Sequence, residues 1–130
     1  MLIYGHRFID SESFYHVSDI DAINNTPSSS TIYLEFSEDN LDIINHAVQN
    51  AVPFLLGAST VTEIIYASSF GASFILVHKE LAKTAQNIAN NYLFDAKILV
   101  KIEEEDEIEE MAILGVDGVI FSNAIIKINS

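Results

Sequence analysis

The chain has 130 residues, of which 49% are hydrophobic and 19% are charged, with a formal net charge of −13 and no cysteine. This length suits one domain with its own core, and the lack of cysteine excludes disulfides, thiolate metal sites and cysteine nucleophiles. The 19 acidic against 6 basic residues oppose binding to nucleic acids or anionic membranes, and no apolar run reaches the roughly 18 residues of a membrane span. We therefore expect a cytoplasmic protein without nucleic-acid or membrane partners.

The first 30 residues differ in pattern from the rest of the chain. LIYGHRFI and SFYHV flank the polar stretch DSES, which predicts two short strands and a turn, resembling a β-hairpin. The stretch NNTPSSS that follows is a polar linker. We assign residues 1–30 to an N-terminal appendage with its linker, and residues 31–130 to an α/β domain.

From residue 31 onward, apolar strands alternate with amphipathic helices. The predicted strands are 31–36, 53–58, 73–78, 97–102 and 118–121, and four helices are predicted in the segments between them. Thr60 and Glu63 have the spacing of a helix-capping pair, and Gly71 and Gly115 are placed to end two of the helices. Five strands joined by four helices indicate a parallel sheet with right-handed crossovers.

The predicted fold is a doubly wound, flavodoxin-like α/β domain. We expect its five-stranded parallel sheet in the order 2-1-3-4-5, with helices on both faces. The alternative is a half (β/α) barrel with the sequential order 1-2-3-4-5. Because about eight strands are needed to close a barrel, five strands would leave one face of a half-barrel open.

The chain from Thr31 onward resembles two families of parallel α/β proteins. EDNLDIINHAV and LGVDGVIF are similar to segments of response-regulator receiver domains. VPFLLGASTVTEIIYASSFGASFILV and LGVDGVIFSNAI resemble the last part of aldolase barrels of the keto-deoxy-phosphogluconate type. Each resemblance covers about 100 residues and implies the corresponding fold.

The residues that carry the chemistry of these families are absent at the matching positions. In the receiver comparison, His78 stands where the phosphoacceptor aspartate belongs, and Ser122 and Asn123 replace the lysine of the last strand. In the aldolase comparison, Leu76 stands at the Schiff-base lysine and Ser122 at a phosphate-turn glycine. The resemblances therefore imply neither aspartyl phosphorylation nor aldol cleavage.

Polar side chains follow several predicted strands and mark a candidate ligand site. In open α/β sheets, ligands bind at the carboxyl ends of the strands. The candidate residues there are Ser37, Asp39, His78, Lys79, Ser122 and Asn123. Their mixed charges suit a polar or zwitterionic ligand better than a phosphate. No catalytic residue, metal site or cofactor is predicted.

Two classes of function remain open at this point. The first is a non-enzymatic binding or protein-interaction domain, regulatory and receiver-like but without phosphorylation chemistry. The alternative is a small-molecule binding protein or enzyme with a polar site around His78. The apolar N-terminal segment is expected to cover part of the sheet and to support a homodimer, because exchange of such a segment is an easy route to dimers.

Overall fold

The computed structural model describes residues 1–129. The strands are Leu2–Tyr4 (β1), Phe14–His16 (β2), Thr31–Glu35 (β3), Phe54–Gly57 (β4), Phe74–Val77 (β5), Lys97–Lys101 (β6), Gly118–Ile120 (β7) and Ile125–Lys127 (β8). The helices are Ile20–Ile23 (α1), Leu41–Gln49 (α2), Val61–Phe70 (α3), Lys79–Asn91 (α4) and Glu107–Leu114 (α5). Single 3-10 turns cover Glu38–Asn40 and Ser122–Ala124.

The helix ends lie where the capping residues indicated. The Thr60 hydroxyl accepts a hydrogen bond from the backbone N–H of Glu63 (3.2 Å) and starts α3. Gly71 and Gly115 follow α3 and α5 with φ angles of 89° and 86°, a left-handed conformation that costs glycine little. The five strands and four helices predicted after residue 31 are thus present.

All strand pairs are parallel, and they form one sheet in the order β1-β7-β6-β5-β4-β3-β2-β8. The five predicted strands therefore lie in sequential order, as in the half-barrel alternative. The doubly wound order 2-1-3-4-5 is wrong, because β4 lies between β3 and β5 instead of at the edge. A sequential order with right-handed crossovers places the helices on one face of the sheet, so the sheet curls around its other face.

The two N-terminal strands are present, but the predicted hairpin is wrong. β1 pairs with β7 near one end of the sheet, whereas β2 lies between β3 and β8 near the other end. The C-terminal tail adds β8, which the sequence pattern did not predict. These three short strands raise the number of strands from five to eight and give the apolar N-terminal segment backbone partners within its own chain.

The curvature of the sheet divides the core into two layers. The rings of Tyr4 in β1 and Phe14 in β2 are 5.0 Å apart, although these strands are not neighbours in the sheet. Both rings also contact Phe74 in β5. The concave layer contains Tyr4, Phe14, Tyr33, Leu55, Leu76, Leu99, Ile120 and Ala124. The larger layer lies between the sheet and the helices.

Candidate functional site

Polar side chains continue the concave layer at the carboxyl ends of three strands. Successive side chains of a strand point to opposite faces, so residues two positions apart share a face. Tyr33, Leu76 and Leu99 belong to the concave layer. Two positions further along the chain are Glu35, His78 and Lys101, respectively. The half-barrel therefore changes from an apolar interior to a polar rim at this edge.

These polar residues line a small cavity, which we call the strand-end cavity. It has a volume of about 110 Å³. Its walls are Tyr33, Glu35, Ala58, Ser59, Leu76, Val77, His78 and Lys101. Three strands and one loop thus bring a carboxylate, an ammonium, an imidazole and two hydroxyls around one space. This is the edge at which parallel α/β folds hold their ligands.

Tyr33 and Glu35 form a hydrogen-bonded pair on β3. Tyr33 is a buried residue, and its hydroxyl donates a hydrogen bond to Oε1 of Glu35, an exposed residue. Burial, this hydrogen bond and the negative charge of Glu35 raise the pKa of Tyr33 well above its ordinary value of 10.0. A Cβ atom on the neighbouring Gly57 would lie 2.3 Å from Oε2 of Glu35. Gly57 therefore leaves the space that the Glu35 carboxylate occupies.

A second cavity of about 220 Å³, the helix-start cavity, adjoins the first and shares His78 and Lys101 with it. The Lys79 ammonium contacts Glu107 (2.8 Å) and Glu110 (3.3 Å) there. The Glu107 carboxylate also accepts hydrogen bonds from the backbone N–H groups of Glu103 and Glu104. The Glu104 N–H, Lys79 and the Glu103 N–H lower the pKa of Glu107 to about 2. Glu107 thereby joins the β6–α5 loop to the start of α4.

His16 at the end of β2 lies beside the strand-end cavity. Its ring is 4.8 Å from the ring of Tyr33, in an edge-to-face arrangement. Burial and the nearby Lys127 lower the pKa of His16, against a smaller opposing effect of Glu35. The neutral imidazole is therefore favoured in the folded protein.

The structure brings together two of the six residues predicted for the site. His78 lines both cavities, and Lys79 lines the helix-start cavity. The Ser37 hydroxyl instead caps the 3-10 turn by accepting from the Asp39 N–H (3.2 Å). Ser122 and Asn123 form the 3-10 turn after β7, where Asn123 lies close to Gly5 at the end of β1. These four residues do not line either cavity.

Tyr33, Glu35 and Lys101 line the strand-end cavity but are not among the residues that the sequence predicts for the site. Each falls within a predicted strand, whereas the predicted site residues follow or end the strands. The useful signal is the change from apolar to charged residues on one face, as in Leu99 followed by Lys101. This signal can be used only when it is known which face of each strand points to the concave side of the sheet.

Comparisons with protein-family models and with curated proteins add no relative for this chain. No protein-family model matches it, and no curated protein matches its sequence.

Over residues 1–129, no helix has the length and apolar character needed to cross a membrane. Within the same residues, no group of three or more His, Asp or Glu side chains is arranged to hold a metal ion.

Proposed function

We propose that the protein binds a small polar molecule at the carboxyl edge of its half-barrel. The observation that carries this proposal is the strand-end cavity, in which Glu35, His78 and Lys101 converge at the carboxyl ends of three strands. Folding brings these ionisable groups together at the edge where ligands bind in related architectures. The proposal concerns binding and assigns no reaction.

A ligand screen followed by mapping of the binding site tests this proposal. Thermal unfolding in the presence of amino acids, organic acids, sugars and nucleotides should show a higher melting temperature with one ligand class, because binding to the folded state stabilises it. With the ¹⁵N-labelled chain, the same compounds should shift the amide signals of Ser59, His78 and Lys101. Shifts that are confined to other surfaces would contradict the proposal.

His78 offers a direct test, because it lines both cavities and is exposed. His78→Ala should abolish binding of the screened ligand and lower the free energy of unfolding by no more than about 0.5 kcal/mol, as for most surface substitutions. His46→Ala, on the outer helix α2, is the matched control and should retain binding. If His78→Ala unfolds the domain, the histidine is structural and the ligand site loses its central residue.

A second candidate is a protein-interaction domain, regulatory in role and active as a homodimer through its N-terminal segment. The observation in its favour is the exposure of apolar side chains in the loop between β1 and β2, where Phe8 is 71% and Ile9 47% exposed. Apolar residues exposed together mark many association surfaces. This candidate does not depend on a receiver-like strand order, which the sheet does not have.

Light scattering of the intact chain tests this second candidate. A mass of two chains that falls to one chain in a Phe8→Ser, Ile9→Ser variant would support it. Ile113→Ser is the matched control, because Ile113 is 81% exposed near the C-terminal end of α5. A mass of one chain at every concentration would contradict the homodimer.

A further inference from the structure

We propose that the ligand of the strand-end cavity is a small zwitterion, with its carboxylate at Lys101 and its ammonium at Glu35. This inference rests on the proposed binding function and names the chemistry of the molecule bound. Both residues line the same cavity of about 110 Å³. Neither residue forms an ion pair within residues 1–129.

Lys101 has no ion-pair partner, unlike two other basic residues at this edge of the sheet. The four ion pairs among residues 1–129 involve His6, Arg7 and Lys79 on the basic side. Arg7 contacts Glu105, and Lys79 contacts Glu107 and Glu110. Lys101 is half-buried at the boundary of the two cavities, yet no carboxylate in this part of the chain lies within ion-pair distance. Its ammonium is thus free to bind an anionic group.

Glu35 is likewise without a cation. Within the described residues, the hydrogen bond to its carboxylate comes from the Tyr33 hydroxyl and involves Oε1. Oε2 lies over Gly57, which has no side chain. Glu35 and Lys101 line one cavity but do not form an ion pair with each other. A ligand that carries both charges can therefore contact both residues at once.

Ligands with a single kind of charge fit this cavity less well. A carboxylate or phosphate bound to Lys101 would lie near Glu35, in the field of a chain with a net charge of −13. A cation bound to Glu35 would lie near Lys101. Either ligand therefore leaves one of the two charged side chains without a partner in the cavity. A zwitterion compensates both groups.

The start of α4 favours the same orientation of the ligand. α4 has 13 residues, and its N-cap His78 makes no side-chain capping hydrogen bond. The positive end of the helix dipole therefore lies beside His78 and Lys101 and favours a carboxylate there. Glu35 lies at the end of β3, three places from β6 in the order of the sheet, and is held by Tyr33. The cavity is thus lined by a positive group from β6 and a negative group from β3.

A titration series with the full chain tests this inference. Glycine, β-alanine and 4-aminobutyrate carry both charges at increasing separation, whereas butyrate and butylamine carry one charge each. Amide signals of Ser59, His78 and Lys101 should shift with at least one of the three zwitterions. Removal of either charge from that ligand should weaken binding about tenfold or more, because hydrogen bonds to charged groups are among the stronger ones.

Variants at the two walls identify which charge each residue binds. Lys101→Met should remove the preference for the zwitterion over the matching amine. Glu35→Gln should remove the preference for the zwitterion over the matching acid. Lys97→Met, at the other end of β6, and Glu109→Gln, on α5, are the matched controls and should keep both preferences. Thermal unfolding of each variant shows whether it is folded.

The possible results separate this inference from the proposed function. Binding of anions, sugars or nucleotides at the cavity, without binding of any zwitterion, would contradict the inference that the ligand is a zwitterion. The proposed binding function would still be supported. A preference for the zwitterion that survives in both Lys101→Met and Glu35→Gln would also overturn the inference. If no compound of any class shifts the cavity residues, both the inference and the proposed function fail.

Discussion

At the scale of single residues, the cavity depends on a few close contacts on β3 and β4. The hydroxyl of Tyr33 fixes one oxygen of Glu35, and Gly57 leaves room for the other. Tyr33 joins the concave layer to the polar rim, because its ring belongs to that layer while its hydroxyl reaches the strand-end cavity. The position of Glu35 therefore depends on a residue of the core.

The raised pKa of Tyr33 predicts a loss of stability in alkaline solution. Its pKa in the folded state lies above the unfolded value of about 10. The unfolded state therefore ionises first, so the stabilisation is complete below about pH 10 and is lost as the pH rises further. Tyr33→Phe should flatten this decline in chemical denaturation measured from pH 8 to 11, with the exposed Tyr92→Phe as control. An unchanged decline in Tyr33→Phe would contradict this explanation.

A Gly57→Ala substitution should displace the Glu35 carboxylate without unfolding the domain. The new Cβ would lie 2.3 Å from Oε2 of Glu35, an exposed side chain that can move away. We expect a loss of about 1–2 kcal/mol in the free energy of unfolding, from the weakened hydrogen bond to Tyr33. In a Glu35→Ala background the same substitution should cost much less. Equal losses of unfolding free energy in both backgrounds would show that the effect of Gly57→Ala does not come from its contact with Glu35.

At the scale of elements, Gln86 and Asp117 connect α4 to the sheet at the edge opposite the cavity. Gln86 is 4% exposed, and its Oε1 accepts from the backbone N–H of Asp117 (2.9 Å). The Asp117 carboxylate accepts from the N–H of Ile98 in β6 (2.9 Å). The Asp117 carbonyl accepts from the N–H of Leu2 in β1 (2.9 Å). One turn therefore joins a helix to two strands.

Gln86→Leu should destabilise the domain although it makes the buried side chain apolar. The backbone N–H of Asp117 would lose its acceptor, and an unsatisfied buried donor costs about 1–3 kcal/mol. Urea denaturation measures this change. Gln49→Leu, at an exposed position at the end of α2, is the control and should change the free energy of unfolding by less than about 0.5 kcal/mol. Equal effects of the two substitutions would show that the link is not important for stability.

At the scale of the whole molecule, the short strands near the two ends of the sheet complete the concave layer. β1 and β2 contribute Tyr4 and Phe14, whose rings pack on Phe74 from the middle of the sheet. Edge-to-face aromatic pairs add to the free energy gained from burial. The interior of the half-barrel is therefore filled by residues that lie far apart in sequence.

A chain that starts at Ser28 should lose this interior. Without β1 and β2, the side chains of Phe74 and Leu55 would be exposed to water on the concave face. We expect the truncated chain to aggregate or to lose its cooperative thermal unfolding, as measured by light scattering and circular dichroism. The full-length Phe8→Ser, Ile9→Ser variant, which changes exposed residues of the same segment, should keep that transition. A truncated chain that stays soluble, with the same number of chains per particle as the intact protein, would contradict this role of the segment.

The local pattern of the sequence determined the five central strands, the helices after residue 31 and their ends. These features depend on near neighbours in the chain, such as Thr60 with Glu63 and the glycines at 71 and 115. The sequence also predicted a ligand site at the carboxyl ends of the strands, around His78, and that site stays a prediction. Such periodicity and capping signals are readable because the interacting groups lie within a few residues of each other.

Only the tertiary structure decided the strand order, the places of β1, β2 and β8, and which residues line the strand-end cavity. A strand whose two faces are both buried has the same continuous apolar sequence in a doubly wound sheet as in a curled one. The reason is that apolar groups cover both faces of the strand in either fold. The strands at both ends are three residues long, too short for a pattern to predict their partners. Curling then turned Glu35 and Lys101 from residues within strands into walls of one cavity. Their proximity depends on which face becomes concave, and that is a property of the whole sheet.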